Sequence, residues 1–388
     1  RKRHDEYLDA HPIPEMLRLS LQELALQLKV MPLRIGASIE DALSQALDPP
    51  LAVNIQRAVA SLVDVEALTP NEEITPLGRH LCHMPLDVHL AKFLLVAVLF
   101  GCVDAALSIA AVLNSKSPFL RNMGREAGRG RAAFHSTEAQ SDFMAFAQMF
   151  RAWRSSVSRH QGQAFCSAHS LSADVLYQIE ELRQQYFSYL VDTGFVQVDT
   201  DTRNDLARRR SRHGRPRLME IPAHLDAYSQ SVPVVTLALV TAMYPKLLQV
   251  DEKTQQMRTL TNHQPAAVHP SSVNARRALG TPSTHFVLYH AIVYSHRLYA
   301  WETAVVDDRM VLLVGGDAEF KHTSRSMYID HNRVRMSTYD APSPVALRVL
   351  RTQLKDILQT SYRSPGRPWT PTQHRTMQLV FRTLGVSS

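Results

Sequence analysis

Residues 90–113 read LAKFLLVAVLFGCVDAALSIAAVL, a long and almost wholly apolar stretch. A helix that crosses a bilayer needs about 20 apolar residues, so a membrane span is one interpretation. The stretch is interrupted, however, and a carboxylate near the centre of a span costs about 2.5 to 3.5 kcal/mol on insertion scales. The interrupting residues are Lys92, Gly101, Asp104 and Ser108. Gly101 and Asp104 instead predict a turn between two buried helices, and we expect no membrane partner.

The composition is that of a folded chain with several domains. Its 388 residues are 45% hydrophobic and 20% charged, and at roughly 100 to 200 residues per domain this length suggests two to four domains. Cys82, Cys102 and Cys166 share no CxxC spacing, which excludes a disulfide scaffold and favours a reducing, intracellular compartment. Arg1 to Ala10 lack an initiator methionine and a signal peptide, so we expect a piece of a longer protein.

The charge is basic and is carried mainly by arginine. The chain has 43 Lys and Arg against 36 Asp and Glu, and only eight of these cations are lysine. Arginine binds phosphates and stacks on bases, so the bias favours a nucleic-acid partner, although solvation or genomic GC content would give the same bias. Arginine is concentrated in 121–137 and 200–217. We predict that both segments are mobile basic loops, the second being a solvated loop or a phosphate-contacting arm.

The N-terminal part predicts three short helices followed by a hairpin. Leucines recur at helical spacing over 17–28 behind a proline, and Ser38 with Asp41 opens a second helix that ends before two prolines. A third apolar helix is expected over 51–68, and 73–81 is expected to be extended with a turn at its middle. This order of elements is typical of a winged helix.

Further along the chain, helical periodicity gives way to β-structure. Apolar residues follow a helical spacing over 143–153, 176–190 and 232–244. Short β-rich runs at 285–301 and 311–314 then predict a small barrel or sandwich, and a last helix begins near Pro344. The predicted fold class is mainly α with a C-terminal β-barrel.

No motif for nucleotide hydrolysis or metal binding is present. A P-loop needs glycine directly before its lysine, and none of the eight lysines follows a glycine. The chain also lacks HExxH and GxSxG. His80, Cys82 and His83 are the nearest group to a metal site, but alternate residues of a hairpin would point to opposite faces. We therefore predict no catalytic residue and no metal site.

An ordered set of short motifs resembles the C-terminal module of DEAH-box (DEAH/RHA) RNA helicases. Each motif is weak alone, but their order and spacing cover the chain from about Tyr7 to about Thr360. The subgroup that it most resembles is the translation-initiation helicases, on the hint of Asp87-Val88-His89. The other motifs are Pro14-Glu15-Met16-Leu17-Arg18, Leu47-Asp48-Pro49-Pro50, Ile74-Thr75-Pro76-Leu77-Gly78-Arg79, Leu90-Ala91-Lys92-Phe93-Leu94, Lys116-Ser117-Pro118-Phe119, His269-Pro270-Ser271-Ser272-Val273, Tyr299 with Glu302-Thr303, and Leu312-Leu313-Val314-Gly315-Gly316.

The resemblance implies a domain order. It places a winged helix at 1–86, a helical ratchet domain with mobile basic loops at 87–245, an OB-fold at 246–362 and a C-terminal tail or helix at 363–388. It also implies two upstream RecA-like domains that bind ATP and Mg²⁺. The whole protein would then be a cytoplasmic ATP-dependent RNA helicase, and this part would form one wall of the channel for single-stranded RNA. The small ribosomal subunit is a further expected partner.

The resemblance also implies which residues contact RNA. They are Lys116, Ser117, His269, Ser271 and Ser272. The alternative is that the His-Pro-Ser-Ser turn only shapes the barrel and that Ser117 caps a helix. The sequence departs from the family at Trp301, where relatives usually carry arginine.

Two other classes of function remain open. The chain could be an RNA-binding or ribosome-docking adaptor that has no ATPase domains, or a helical scaffold that binds no nucleic acid. The sequence upstream of Arg1 would separate a helicase from an adaptor. Salt-dependent RNA binding would separate both from a scaffold.

Overall fold

A computed structural model describes residues 14–18, 20–31, 36–120, 133–134, 139–210, 217–275, 277–281, 284–321, 326–330, 334–337 and 344–386. The chain divides into two compact units, Arg1–Val88 and His89–Ser388.

The first unit is helical. Its helices are α1 (Glu15–Arg18), α2 (Gln22–Val30), α3 (Ile39–Ser44), α4 (Ala52–Asp64) and α5 (Pro76–Cys82). The Ser38 side chain accepts a hydrogen bond from the Asp41 N–H, which confirms the predicted start of α3. The apolar faces of these helices form one core, which includes Leu26, Ile39, Ile55, Leu62 and Leu77.

The hairpin predicted over 73–81 is wrong. Residues from Pro76 form α5, and among the described residues of this segment the extended pairing is a single bridge between Leu68 and Ile74. Thr75 caps the helix by accepting a hydrogen bond from the Gly78 N–H, and Pro76 occupies the first turn, where proline favours a helix. This helix contains His80 and Cys82, and His83 follows directly after it. Hairpin alternation therefore does not apply to these three residues.

The second unit begins with the apolar stretch, which forms two helices as predicted. They are α6 (Val88–Phe100) and α7 (Val103–Leu113). Gly101 separates them with φ of +69°, a conformation that glycine adopts without strain. Among the described residues, no helix is both long and apolar enough to cross a membrane.

The rest of the helical part follows this pair along the chain. It consists of α8 (Asp142–Ser158), α9 (Gly162–Ala168), α10 (Ala173–Asp192), α11 (Thr200–Arg210), a short 3₁₀ turn (Ala223–Leu225) and α12 (Val232–Met243). Helices α8 and α10 both pack on α7. The helices predicted over 143–153, 176–190 and 232–244 are confirmed as α8, α10 and α12.

The basic loops are only partly described. Residues 200–210 form α11, so the loop predicted there is wrong over this range; Arg, Ala and Leu are good helix formers, and they favour the helical state. Residues 211–216 and nearly all of 121–137 lie outside the described residues.

The β-structure is a closed barrel in the order β1-β2-β3-β5-β4. Its strands are β1 (Leu247–Val250), β2 (Met257–Thr259), β3 (Pro265–Val268), β4 (Phe286–Tyr294) and β5 (Leu298–Val306). Strand β3 runs parallel to β5, whereas the other neighbouring pairs are antiparallel. The predicted combination of helices and a C-terminal barrel is confirmed.

One predicted strand is a helix. Residues 311–314 belong to α13 (Asp308–Val314), because Asp307 accepts a hydrogen bond from the Arg309 N–H and so caps the first turn. A three-stranded antiparallel sheet follows, with β6 (Ala318–Lys321), β7 (Ser326–Ile329) and β8 (Val334–Ser337). The chain ends in a pair of packed helices, α14 (Pro344–Arg363) and α15 (Pro371–Thr383).

Candidate nucleic-acid interface

The turn after β3 carries the predicted RNA-contacting histidine. The His269 N–H donates to the carbonyl of Ala300 at 2.9 Å, which fixes the turn beside β5. The Nδ1 atom of His269 lies 2.7 Å from the Ser271 hydroxyl and accepts a hydrogen bond from the Ser271 N–H. Both side chains are half-buried. The structure therefore places His269 and Ser271 together, with part of each residue open to solvent.

Ser272 has a different environment from its neighbours. Its side chain is 6% exposed, its hydroxyl donates to the Asp142 carboxylate at 2.5 Å, and it lies 2.9 Å from the Thr303 hydroxyl. A hydroxyl held in this way has no free surface for a phosphate. The structure thus directs this side chain into the junction with α8, and the contact of Ser272 with RNA stays a prediction.

The junction is built around Asp142, which lies in none of the sequence motifs. Asp142 is the first residue of α8 and is fully buried. Besides Ser272, its carboxylate accepts hydrogen bonds from the N–H of Val273 at 3.0 Å and the N–H of Thr303 at 2.8 Å. The Asn274 amide extends the junction by donating to the Thr303 hydroxyl at 2.9 Å. One carboxylate thus fixes the first turn of α8 to two segments of the barrel.

Lys116 and Ser117 lie in a separate loop that follows α7. Both residues are exposed, and the Ser117 hydroxyl accepts a hydrogen bond from the Phe119 N–H at 3.3 Å. Backbone hydrogen bonds of 2.9 Å tie this loop to the start of α10, from Leu120 to Ser170 and from Ser172 to Pro118. The loop is therefore anchored at its base while its cation faces solvent. The Ser117 hydroxyl stabilises a local turn; residues 114–120 are not helical, so the helix cap of the alternative interpretation is not present.

Beside His269, two aromatic side chains of β5 complete a cluster of rings. The ring of Trp301 is stacked on His269, with centroids 3.5 Å apart and planes at 19°. Tyr299 meets the same histidine edge-on at 5.8 Å. In the sequence, Trp301 is recognisable only as a departure from the family pattern. The ring stack depends on the neighbouring strand, so the sequence alone could not have located it.

Some of the arginine excess serves the helical core. The Arg183 side chain is fully buried; it donates to Glu180 at 2.8 Å and also to Asp104. Arg154 reaches Asp104 as well, at 2.8 Å. Burial by itself raises the pKa of Asp104. The nearby guanidinium groups, above all that of Arg183, lower it by more than burial raises it, so the pKa lies below its ordinary value. These arginines connect α7, α8 and α10 and are not available to RNA.

The fold defines a class of protein, a multidomain helical module that contains a closed barrel of the OB type, which in other proteins binds oligonucleotides or oligosaccharides. Comparison with known families specifies it further. Residues 58–86 match the winged-helix part of the helicase-associated domain (HA2), 87–155 match its ratchet-like part, and 235–318 match the oligonucleotide/oligosaccharide-binding (OB) fold. The chain belongs to the DEAH-box helicase family and corresponds to its C-terminal module.

Individual relatives have the same character. The chain is 31% identical over 314 residues to the DExH-box ATP-dependent RNA helicase DExH1 of Arabidopsis thaliana, which covers 80% of this chain and 29% of the relative. It is 31% identical over 375 residues to human ATP-dependent RNA helicase DHX29, and this alignment covers 94% of the chain and 26% of the relative. Human ATP-dependent DNA/RNA helicase DHX36 is 28% identical, covering 95% and 35%. The chain thus spans about a third or less of each relative.

Proposed function

We propose that the chain is the RNA-binding C-terminal region of an ATP-dependent DEAH-box RNA helicase and forms one wall of the channel for single-stranded RNA. The observation that carries this proposal is the ordered match of winged-helix, ratchet-like and OB-fold families on a chain whose β-structure is a closed barrel. OB-folds hold single strands through basic grooves and aromatic rings. Lys116, Ser117, His269 and Ser271 are the proposed contacts.

ATP and Mg²⁺ belong to the proposed upstream RecA-like domains and not to this chain. No lysine follows a glycine, so the chain lacks the loop that wraps a triphosphate. No group of three or more His, Cys, Asp or Glu in the described part of the chain could hold a metal ion. We expect the purified chain to hydrolyse no ATP, and steady turnover that co-purifies with it through several columns would contradict this expectation.

RNA binding is tested by fluorescence anisotropy with a labelled single-stranded oligoribonucleotide over a series of salt concentrations. We expect saturable binding whose affinity falls steeply as salt increases, because phosphate contacts release counterions. His269→Ala should weaken binding, whereas His374→Ala, a change at another histidine that contacts a tryptophan, should not. No binding at low salt would contradict the proposal and favour a scaffold.

A role in translation initiation, in the cytoplasm and on the small ribosomal subunit, is the finer part of the proposal. It rests on the resemblance to that subgroup, including Asp87-Val88-His89. Co-sedimentation with purified small ribosomal subunits tests it, with large subunits as the control. The second candidate, an adaptor without ATPase domains, is favoured if the sequence upstream of Arg1 contains no P-loop and no DEAH-type box.

A further inference from the structure

The outer surface of β5 carries two rings that the barrel does not need for its core. Ala300 is fully buried and belongs to the barrel core, together with Val287 and Tyr289. Because successive side chains of a strand point to opposite faces, Tyr299 and Trp301 on either side of Ala300 point outward. Trp153, by contrast, is fully buried among helices. The outward pair is half-buried and remains accessible.

The strand register explains why His269 joins these rings. Strands β3 and β5 run parallel, with Ala267 opposite Tyr299 and Val268 opposite Ala300. The next residue, His269, therefore falls beside Trp301, and the two rings stack. On its other side Trp301 is opposite Ala291 of β4, whose methyl group covers little of an indole. The Trp301 indole is thus stacked on His269 toward β3, whereas its neighbour on β4 is the small side chain of Ala291.

The same surface continues toward the end of the β4–β5 hairpin. The Tyr299 hydroxyl lies 2.8 Å from Nε2 of His296, and the Arg297 guanidinium carbon lies 4.9 Å from the Tyr299 ring centroid. Both His296 and Arg297 are exposed. Tyr294, at the end of β4, is 72% exposed. We call Trp301, His269, Tyr299 and Arg297 the aromatic row.

We propose that the aromatic row is a stacking platform for nucleobases of single-stranded RNA, with Trp301 as its main contact. The inference rests on the proposed function and specifies where the bases lie. Stacking uses the π-face that every base has, so the row would bind without sequence preference. Arg297 supplies a positive charge at one end, where the phosphate backbone would pass. A contiguous row of aromatic rings that stays partly open to solvent is typical of an interaction site.

The experiment compares oligouridylate with an abasic ribose-phosphate oligomer of the same length. The two have the same charge, so any difference in affinity for the chain comes from the bases. We expect the wild-type chain to bind oligouridylate about tenfold more tightly than the abasic oligomer, the size that loss of one stacked base gives. Trp301→Ala should remove most of this difference, and Trp301→Phe should keep part of it. Trp369→Ala is the matched control, because Trp369 is also a half-buried indole beside a histidine.

Tryptophan fluorescence keeps the proposal testable if Trp301→Ala fails to fold. In the Trp369→Phe variant the remaining indoles are Trp301 and the fully buried Trp153. Oligouridylate should quench the emission of this variant, and the abasic oligomer should not. Equal affinity for the two oligomers, or no quenching while RNA binds, overturns the stacking platform and leaves the proposed function standing. Failure of both oligomers to bind contradicts the proposed function itself. Binding of a protein at the row that RNA does not displace would also overturn the platform.

Discussion

The carboxylate of Asp142 accepts a 2.5 Å hydrogen bond from the hydroxyl of Ser272, across 130 positions of the sequence. This contact joins the first turn of α8 to the turn that follows β3. The same turn carries His269, one of the proposed RNA contacts. The helical part of the second unit and the proposed RNA-binding surface of the barrel are therefore held in one fixed relationship.

Asp142→Ala should destabilise the chain strongly. The substitution leaves the donors of Ser272, Val273 and Thr303 without their acceptor in a buried site, and we expect the free energy of unfolding to fall by about 2 to 4 kcal/mol. Urea denaturation followed by circular dichroism measures this. Asp174→Ala, an exposed carboxylate in the first turn of α10, is the control and should cost less than about 1 kcal/mol. Equal losses of unfolding free energy for the two substitutions would show that the Asp142 junction contributes little to stability.

Asp104 should make stability depend on pH in the acid range. Its pKa is held below the ordinary value of 3.8 in the folded state, so its charged form stabilises the fold above that pH, and this contribution is lost as pH falls through the lower, folded-state pKa. Burial raises the pKa of the neighbouring Asp226, which gives a contribution of the opposite sign. Because Asp104→Asn removes the stabilising charge of Asp104, we expect this variant to be less stable than wild type by about 3 kcal/mol at neutral pH.

The pH dependence itself provides the check on Asp104. The stability difference between wild type and Asp104→Asn should narrow as pH falls below 3.8. Thermal unfolding at several pH values between neutral and acid measures it, with Asp174→Asn as a control that should follow wild type throughout. A difference that stays constant with pH would mean that Asp104 carries no stabilising charge.

Lys116→Ala should reduce the salt dependence of RNA binding without affecting the fold. The side chain is exposed, so its removal leaves no cavity. If it contacts a phosphate, the slope of log affinity against log salt should decrease by about one unit. Lys355→Ala is the control, because Lys355 is an exposed lysine near Asp317, at 3.5 Å. An identical slope for wild type and Lys116→Ala would exclude the phosphate contact.

Gly78→Ala should destabilise the first unit. A Cβ atom at this position would lie 2.1 Å from the backbone carbonyl oxygen of Ala67, so the backbone must move. We expect a loss of about 2 kcal/mol or more, although alanine is the better helix former. Arg79→Ala changes the next, exposed residue of the same helix and should have little effect. Protease digestion and denaturation of both variants give the comparison, and a Gly78→Ala variant as stable as wild type would refute the steric argument.

Local signals in the sequence predicted much of the fold. Gly101 marked the break between two apolar helices, and Ser38 marked the start of α3, because glycine and an N-cap act on their own backbone neighbours. The same kind of signal was available at Thr75-Pro76 and at Asp307, where we expected β-structure instead. In both places a capping side chain outweighs the β-like pattern of the residues that follow.

The sequence by itself determined the class of the protein, because the order of its motifs and the apolar periodicity of its helices are properties of the linear chain. Only the tertiary structure decided which polar residues are open to solvent and which face the core. Ser271 and Ser272 are adjacent and chemically identical, yet one is half-buried beside His269 and the other is bonded to Asp142. Trp301 and His269 likewise stack only because β3 and β5 run side by side in parallel. Such contacts join residues far apart in sequence, and the direction of a side chain at each of them depends on the register of the assembled barrel.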